Sequence, residues 1–200
     1  MSRIPSPLKL LILGAVALLA ACASAPPPMQ KLPEMSFTQS PPIAFDVARI
    51  EVVSEYSAPA AAPHIEFDMP VSPEKALRAW ARDRLKAVGK TGTLRVVVRK
   101  ASAVETPLAT DQSLSGVFKK EQAAQVDLAL DVALQMLDER QYVVAEVTGK
   151  SLRGRTEPEK QKLNERDKLL YDLTYELVKG LDEELVANMP TAFNKWMVRN

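Results

Sequence analysis

Gln125-Val126-Asp127-Leu128-Ala129-Leu130-Asp131-Val132-Ala133-Leu134-Gln135 decides the fold. Val126, Leu128, Leu130, Val132 and Leu134 fall on one side of an extended chain. Gln125, Asp127, Ala129, Asp131, Ala133 and Gln135 fall on the other. A period of two with one apolar face is the pattern of a half-buried strand. Asp138-Glu139-Arg140 supplies a turn, and Tyr142 to Thr148 then returns as a hairpin partner. Slipping this pairing by one residue would turn the whole apolar set to solvent, so its register is strongly specified.

Working toward the N-terminus, Leu94-Arg95-Val96-Val97-Val98 has the β-branched content of a central strand. Before it, Ser72-Pro73 opens a helix with a serine N-cap and proline at the first helical position. Leu77, Trp80, Ala81, Leu85 and Val88 recur at helical spacing along it, and Gly89 and Gly92 end it. Ala48, Ile50 and Val52 predict a further strand, with order starting near Ile43. Toward the C-terminus, Thr156-Glu157-Pro158-Glu159 fits a capping box. The helix after it carries Leu163, Leu170, Leu173, Leu177, Leu181 and Leu185; Gly180 is a point of bending, and Pro190 ends or kinks it. The order β-α-β-β-β-α predicts an α+β fold, a four-stranded sheet with two helices on one face. If the first strand and the one after the Ser72 helix are parallel, a right-handed crossover joins them.

A signal peptide and a proline-rich tether are expected ahead of this domain. Arg3 and Lys9 precede an uncharged apolar run that closes in Leu19-Ala20-Ala21-Cys22. The run is about 16 residues long where a membrane-spanning helix needs roughly 20, and Pro26-Pro27-Pro28 stops any helix. Leu19-Ala20-Ala21-Cys22 resembles the bacterial lipobox. The resemblance implies cleavage before Cys22, diacylglycerol on its thiol and a further acyl chain on the new amine. Three chains hold a protein on a membrane far more firmly than one. Ala23 replaces the aspartate that, in enteric lipoproteins, retains the product in the inner membrane, which implies an outer-membrane site facing the periplasm. The expected organisation is a signal peptide over 1–21, a lipidated Cys22 with a proline-rich tether over 22–42, and one domain over 43–200. Extended, about 20 tether residues reach some 60 Å.

Composition narrows the function. Removing residues 1–21 takes away Arg3 and Lys9 and no acidic side chain, so the near-neutral whole becomes a slightly acidic head. That charge lacks the basic excess of nucleic-acid-binding domains. With the single cysteine lipidated, the head has no disulfide and is held by apolar packing.

The residues that chemistry needs are sparse. There is one histidine, His64, and there are seven glycines with no phosphate-binding loop among them. No G-x-S-x-G elbow occurs; Gly149-Lys150-Ser151-Leu152-Arg153-Gly154 is one residue too long. The chain is therefore expected not to be an enzyme, and to hold no cofactor or metal. If His64, Glu66 and Asp68 lie on a strand they share a face, either a solvated edge or a weak site for a hard cation. Asp127 and Asp131 share a strand face, but about 13 Å of strand separates them, too far to share a proton. Trp80 belongs to the core stripe of its helix.

Contacts with a membrane or partner are sought elsewhere. Phe118, Lys119 and Lys120 close a long polar stretch, either as a loop tip that meets a membrane or partner or as the approach to the next strand. Trp196, with Phe193 and Met197, either caps a sheet edge or anchors a partner or membrane surface. Lys150, Arg153 and Arg155 form a small basic cluster before the long helix, either solvated surface or a contact for anionic lipid or an acidic partner.

Lipobox, tether and element order together resemble small periplasmic lipoproteins of envelope transport machines. These are the auxiliary lipoproteins of ABC-type lipid transporters and the lipoprotein of lipopolysaccharide assembly. Trp80-Ala81 with Leu85 is similar to the former, whereas Met29-Gln30-Lys31-Leu32-Pro33 departs from that family's tyrosine-containing start. The resemblance implies a non-catalytic binding or accessory subunit, anchored through Cys22 and joined to an envelope protein partner. The alternative is a structural or regulatory lipoprotein that activates a cell-wall enzyme.

Overall fold

The computed structural model describes residues 32–108, 122–158 and 161–198. Strands β1 (Ile43–Phe45) and β2 (Arg49–Ser54) come first, then helix α1 (Pro73–Arg84) and strand β3 (Leu85–Ala87). Three long strands follow, β4 (Thr93–Pro107), β5 (Gln122–Leu137) and β6 (Val143–Pro158), and helix α2 (Leu163–Phe193). The main sheet has the order β2-β4-β5-β6, with β2 parallel to β4 and the other pairs antiparallel. This is the expected α+β fold. A second, two-stranded parallel sheet, β1 with β3, was not foreseen.

The decisive segment behaves as its alternation predicts. Val126, Leu128, Leu130, Val132 and Leu134 are all buried in one core with Leu77 and Trp80 of α1 and Leu173, Leu177, Leu181 and Leu185 of α2. Both helices therefore cover the same face of the sheet. Gly149 of β6 permits the close approach of α2, because a Cβ there would sit 2.8 Å from Leu185 Cδ2. The opposite face carries ion pairs beside buried Val97, Ala129 and Ala133: Lys150 Nζ lies 3.1 Å from Asp131, and Arg99 Nη2 lies 3.0 Å from Glu146. At the β5–β6 turn Asp138 accepts from the N–H groups of Arg140 and Tyr142, and Gln141 takes a positive φ of 67°.

Several boundaries move. Ser72 caps α1 through its hydroxyl to the Lys75 N–H, but the helix stops at Arg84. Leu85 to Ala87 pairs with β1 instead, so Leu85 is core as part of a strand while Val88 is exposed. The capping box at Thr156 does not form: β6 runs on to Pro158, and α2 starts after Lys162, whose N–H donates to the Glu165 carboxylate. Pairing along sixteen-residue β5 and β6 outweighs that local signal. Pro190 sits inside α2, which ends three residues later at Phe193.

The packed unit also begins earlier than Ile43. Met35 and Phe37, in the stretch read as tether, are buried in the core. Phe37 stacks on Tyr175 of α2 with centroids 5.3 Å apart, and its N–H donates to Asp83 of α1 at 2.9 Å. Residues 32–42 are thus a strap across both helices. Burial pushes the Asp83 carboxyl up, but donors from Phe37, Arg82 and Ser36 outweigh it and hold the group below its ordinary value.

Candidate functional site

A groove of ≈ 420 Å³ opens between the segment after β2, the turn around Phe67 and the first turn of α1. That volume lies within the roughly 300–1,000 Å³ of small-molecule clefts. Glu66 lies at its wall with a side chain only 4% exposed. One carboxylate oxygen, Oε1, accepts from the Tyr56 hydroxyl at 2.7 Å and from the Ala103 N–H at 3.0 Å. His64 Nδ1 lies 3.0 Å from the same oxygen and donates to it when that nitrogen is protonated. The other oxygen, Oε2, is buried and has no partner among the described residues.

Burial pushes the Glu66 carboxyl up, yet hydrogen bonds from Tyr56, Ala103 and His64 outweigh it, and the group stays ionised below the ordinary 4.5. The Tyr56 hydroxyl is raised in turn, first by burial and then by its bond to Glu66. Glu66 in the groove wall is therefore a buried anion, and its second oxygen lies behind the surface without a donor among the described residues, which is costly.

The rest of the groove is balanced. Glu74 accepts from Arg78 Nη2 at 2.8 Å and pairs with it across one helical turn. Lys75 is exposed and makes no ion pair among the described residues. Phe67 presents an almost free ring, 72% exposed, at the rim.

This arrangement corrects the reading of His64, Glu66 and Asp68 as one strand face. The segment is a turn after an isolated bridge of His64 to Val104, so Asp68 turns away while His64 and Glu66 meet. Glu66 points inward and Asp68 outward. No group of three or more metal-ligating side chains occurs among the described residues. Asp131 is paired with Lys150, and Asp127 is bridged by Gln125 at 2.9 Å.

The basic cluster is taken apart. It lies within β6 rather than before α2, with Lys150 paired to Asp131 on the face away from the helices and Arg155 paired to Glu176 of α2. Trp196 is half-buried, its ring T-shaped to Phe193 at 6.5 Å, while its carbonyl accepts from the Asp46 N–H at 2.7 Å. The tail thereby closes over β1, where Met197 bridges to Phe45. Trp80 is fully buried, as its stripe predicts. Cys22, the signal segment, Phe118, Lys119 and Lys120 lie outside the described residues.

No protein-family model matches the chain, and no curated protein matches it. Solved structures of bacterial lipoproteins do. A minor lipoprotein from Acinetobacter baumannii is 13% identical, covering 76% of this chain and 97% of its own, with a TM-score of 0.39. Rare lipoprotein B from Shewanella oneidensis is 13% identical over 72% of this chain and 95% of its own, with a TM-score of 0.38. An uncharacterized lipoprotein B from Nitrosomonas europaea is 13% identical over 77% of this chain and 94% of its own, with a TM-score of 0.37.

The periodicity that located the strands carries no mark of the groove. Glu66 sits between Ile65 and Phe67 in what reads as an alternating piece, and nothing in the local pattern distinguishes a buried carboxylate there from a solvated one. Its partners Tyr56 and Ala103 come from distant stretches of chain that only the β2–β4 pairing draws together.

Proposed function

We propose that this chain is a lipid-anchored envelope lipoprotein, held through Cys22 at the outer membrane and facing the periplasm. Its head acts as a non-catalytic binding or accessory subunit in envelope lipid transport or assembly, working with an envelope protein partner. Leu19-Ala20-Ala21-Cys22 supports the anchor. The observation that carries the binding reading is the use made of His64. Its Nδ1 faces a carboxylate that already holds Tyr56 and the backbone of β4. It braces a wall, and among the described residues no serine or threonine hydroxyl is hydrogen-bonded to it. Phe118, Lys119, Lys120 and Trp196 are the proposed contacts with the partner or membrane.

Lipid analysis of outer membranes from a deletion strain tests this role. The expected result is an altered lipid composition that the intact chain restores and Cys22→Ala does not. Unaltered envelope lipids together with slowed incorporation of labelled cell-wall precursor would contradict it and favour activation of a cell-wall enzyme.

A further inference from the structure

The strap divides the chain between Cys22 and the first strand into two lengths. Residues 23–34 precede Met35, which is buried in the core, and residues 35–42 are held against the helices before β1 begins at Ile43. Phe37 stacks on Tyr175 of α2, and its N–H donates to Asp83 of α1, whose side chain is only 8% exposed. Gln39 accepts from the Tyr175 hydroxyl at 3.4 Å. The Pro41 carbonyl accepts from buried Arg84, which Asp182 of α2 fixes in turn. Releasing residues 35–42 would expose two apolar side chains and leave Asp83 and Arg84 each short of a partner. Residues 23–34 include Pro26, Pro27, Pro28 and Pro33, and a proline-rich chain extends by roughly 3.1 Å per residue.

We infer that residues 35–42 are a clamp that sets how far the anchored head can reach. With the clamp docked, the point where the chain enters the head lies within about 40 Å of Cys22; with it released, β1 would stand up to about 65 Å away. The docked head therefore meets a protein partner held in, or close against, the membrane that carries its anchor. This rests on the reading of Cys22 as the anchor, and goes beyond it by giving the strap a task and the partner a place.

The test uses the full acylated chain in a supported phospholipid bilayer. Neutron reflectometry reads how far the protein layer extends from the headgroups, and hydrogen exchange at the residue 37 amide reads whether the clamp is docked. The parent should keep that amide protected. Met35→Ala combined with Phe37→Ala removes both buried side chains of the clamp. In this variant the amide should lose at least about tenfold of its protection, and the outer limit of the layer should move outward by up to about 25 Å. Circular dichroism must show the variant folded. A second variant leaves every residue of the head unchanged: a duplicate of residues 23–31 inserted after Lys31. Its layer should widen by a similar amount with the Phe37 amide still protected.

A freely exchanging Phe37 amide in the parent, a folded double variant whose layer is no wider than the parent's, or a duplication that leaves the layer unchanged overturns the inference. A chain acylated at Cys22 that fails these measurements loses the clamp alone. An unmodified Cys22 removes the anchor, and the reach with it, even where a protected Phe37 amide shows the strap docked.

Discussion

Leu130→Asp should leave the head unfolded under conditions where the parent is fully native. Leu130 sits mid-strand in β5, 1% exposed, on the face covered by both helices. A carboxylate there has no partner, and burying an unpaired charge costs several kcal/mol even after the surroundings relax. Whole domains are stable by only about 5–15 kcal/mol, and the lost leucine packing adds to the deficit. Its neighbour provides the control. Asp131 faces the side the helices do not cover; one oxygen pairs with Lys150, whose side chain is 71% exposed, and the other has no partner among the described residues to lose. Asp131→Ala should therefore cost under about 1 kcal/mol. Urea unfolding followed by circular dichroism reads both variants. Comparable losses would mean that the two faces of the sheet have been assigned wrongly.

Asp182→Ala should cost about 3–5 kcal/mol, far more than a polar position on a helix normally does. Asp182 of α2 accepts from the Trp80 indole N–H at 2.8 Å and from Arg84 Nε at 3.0 Å, both on α1. Its second oxygen takes Arg84 Nη2 at 3.2 Å. Arg84 is itself buried, and another of its guanidinium nitrogens donates to the Pro41 carbonyl of the strap. Removing the carboxylate leaves a buried guanidinium and a buried indole N–H without their shared acceptor. Because the same guanidinium reaches the strap, residues 32–42 should loosen with the helix pair. Hydrogen exchange should show protection lost at the Phe37 amide as well as along both helices. A loss under about 1 kcal/mol with the Phe37 amide still protected would show that the brace is not structural.

These two sites differ in how readily the sequence exposes them. The inward face of β5 was legible because a strand's period of two writes burial directly into residue order. Ser72-Pro73 was legible because capping is local chemistry. Asp182 was not: on α2 it reads as one more polar residue between leucines, and its burial depends on where α1 crosses. The strap was hidden by its prolines, which suggest an extended tether and say nothing of where Met35 and Phe37 come to rest. Leu85 and Val88 continue the helical spacing of α1, yet pairing with Ile43 to Phe45 draws Leu85 to Ala87 into a strand. The hairpin partner was expected over Tyr142 to Thr148, yet β6 runs on to Pro158. Continuous pairing to β5 carries the strand through this stretch, and the small Gly149 and Ser151 fit beneath α2.

The groove lies further still from what periodicity encodes. Its buried acid comes from a turn, its hydroxyl donor from the segment after β2 and its far rim from the start of α1. Only the parallel β2–α1–β4 connection brings these together. The proposed anchor rests on four consecutive residues, Leu19-Ala20-Ala21-Cys22, whereas a cleft assembled from three separated segments leaves no such local trace.

The central claim is that Cys22 ties this head to a membrane, and intact-mass spectrometry of the protein purified from its own membranes tests it most directly. The predicted mature chain begins at Cys22 and carries a thioether-linked diacylglycerol and an amide-linked acyl chain, while Cys22→Ala accumulates as an uncut precursor. A mature chain with an unmodified Cys22, or one cut at another position, would contradict the account.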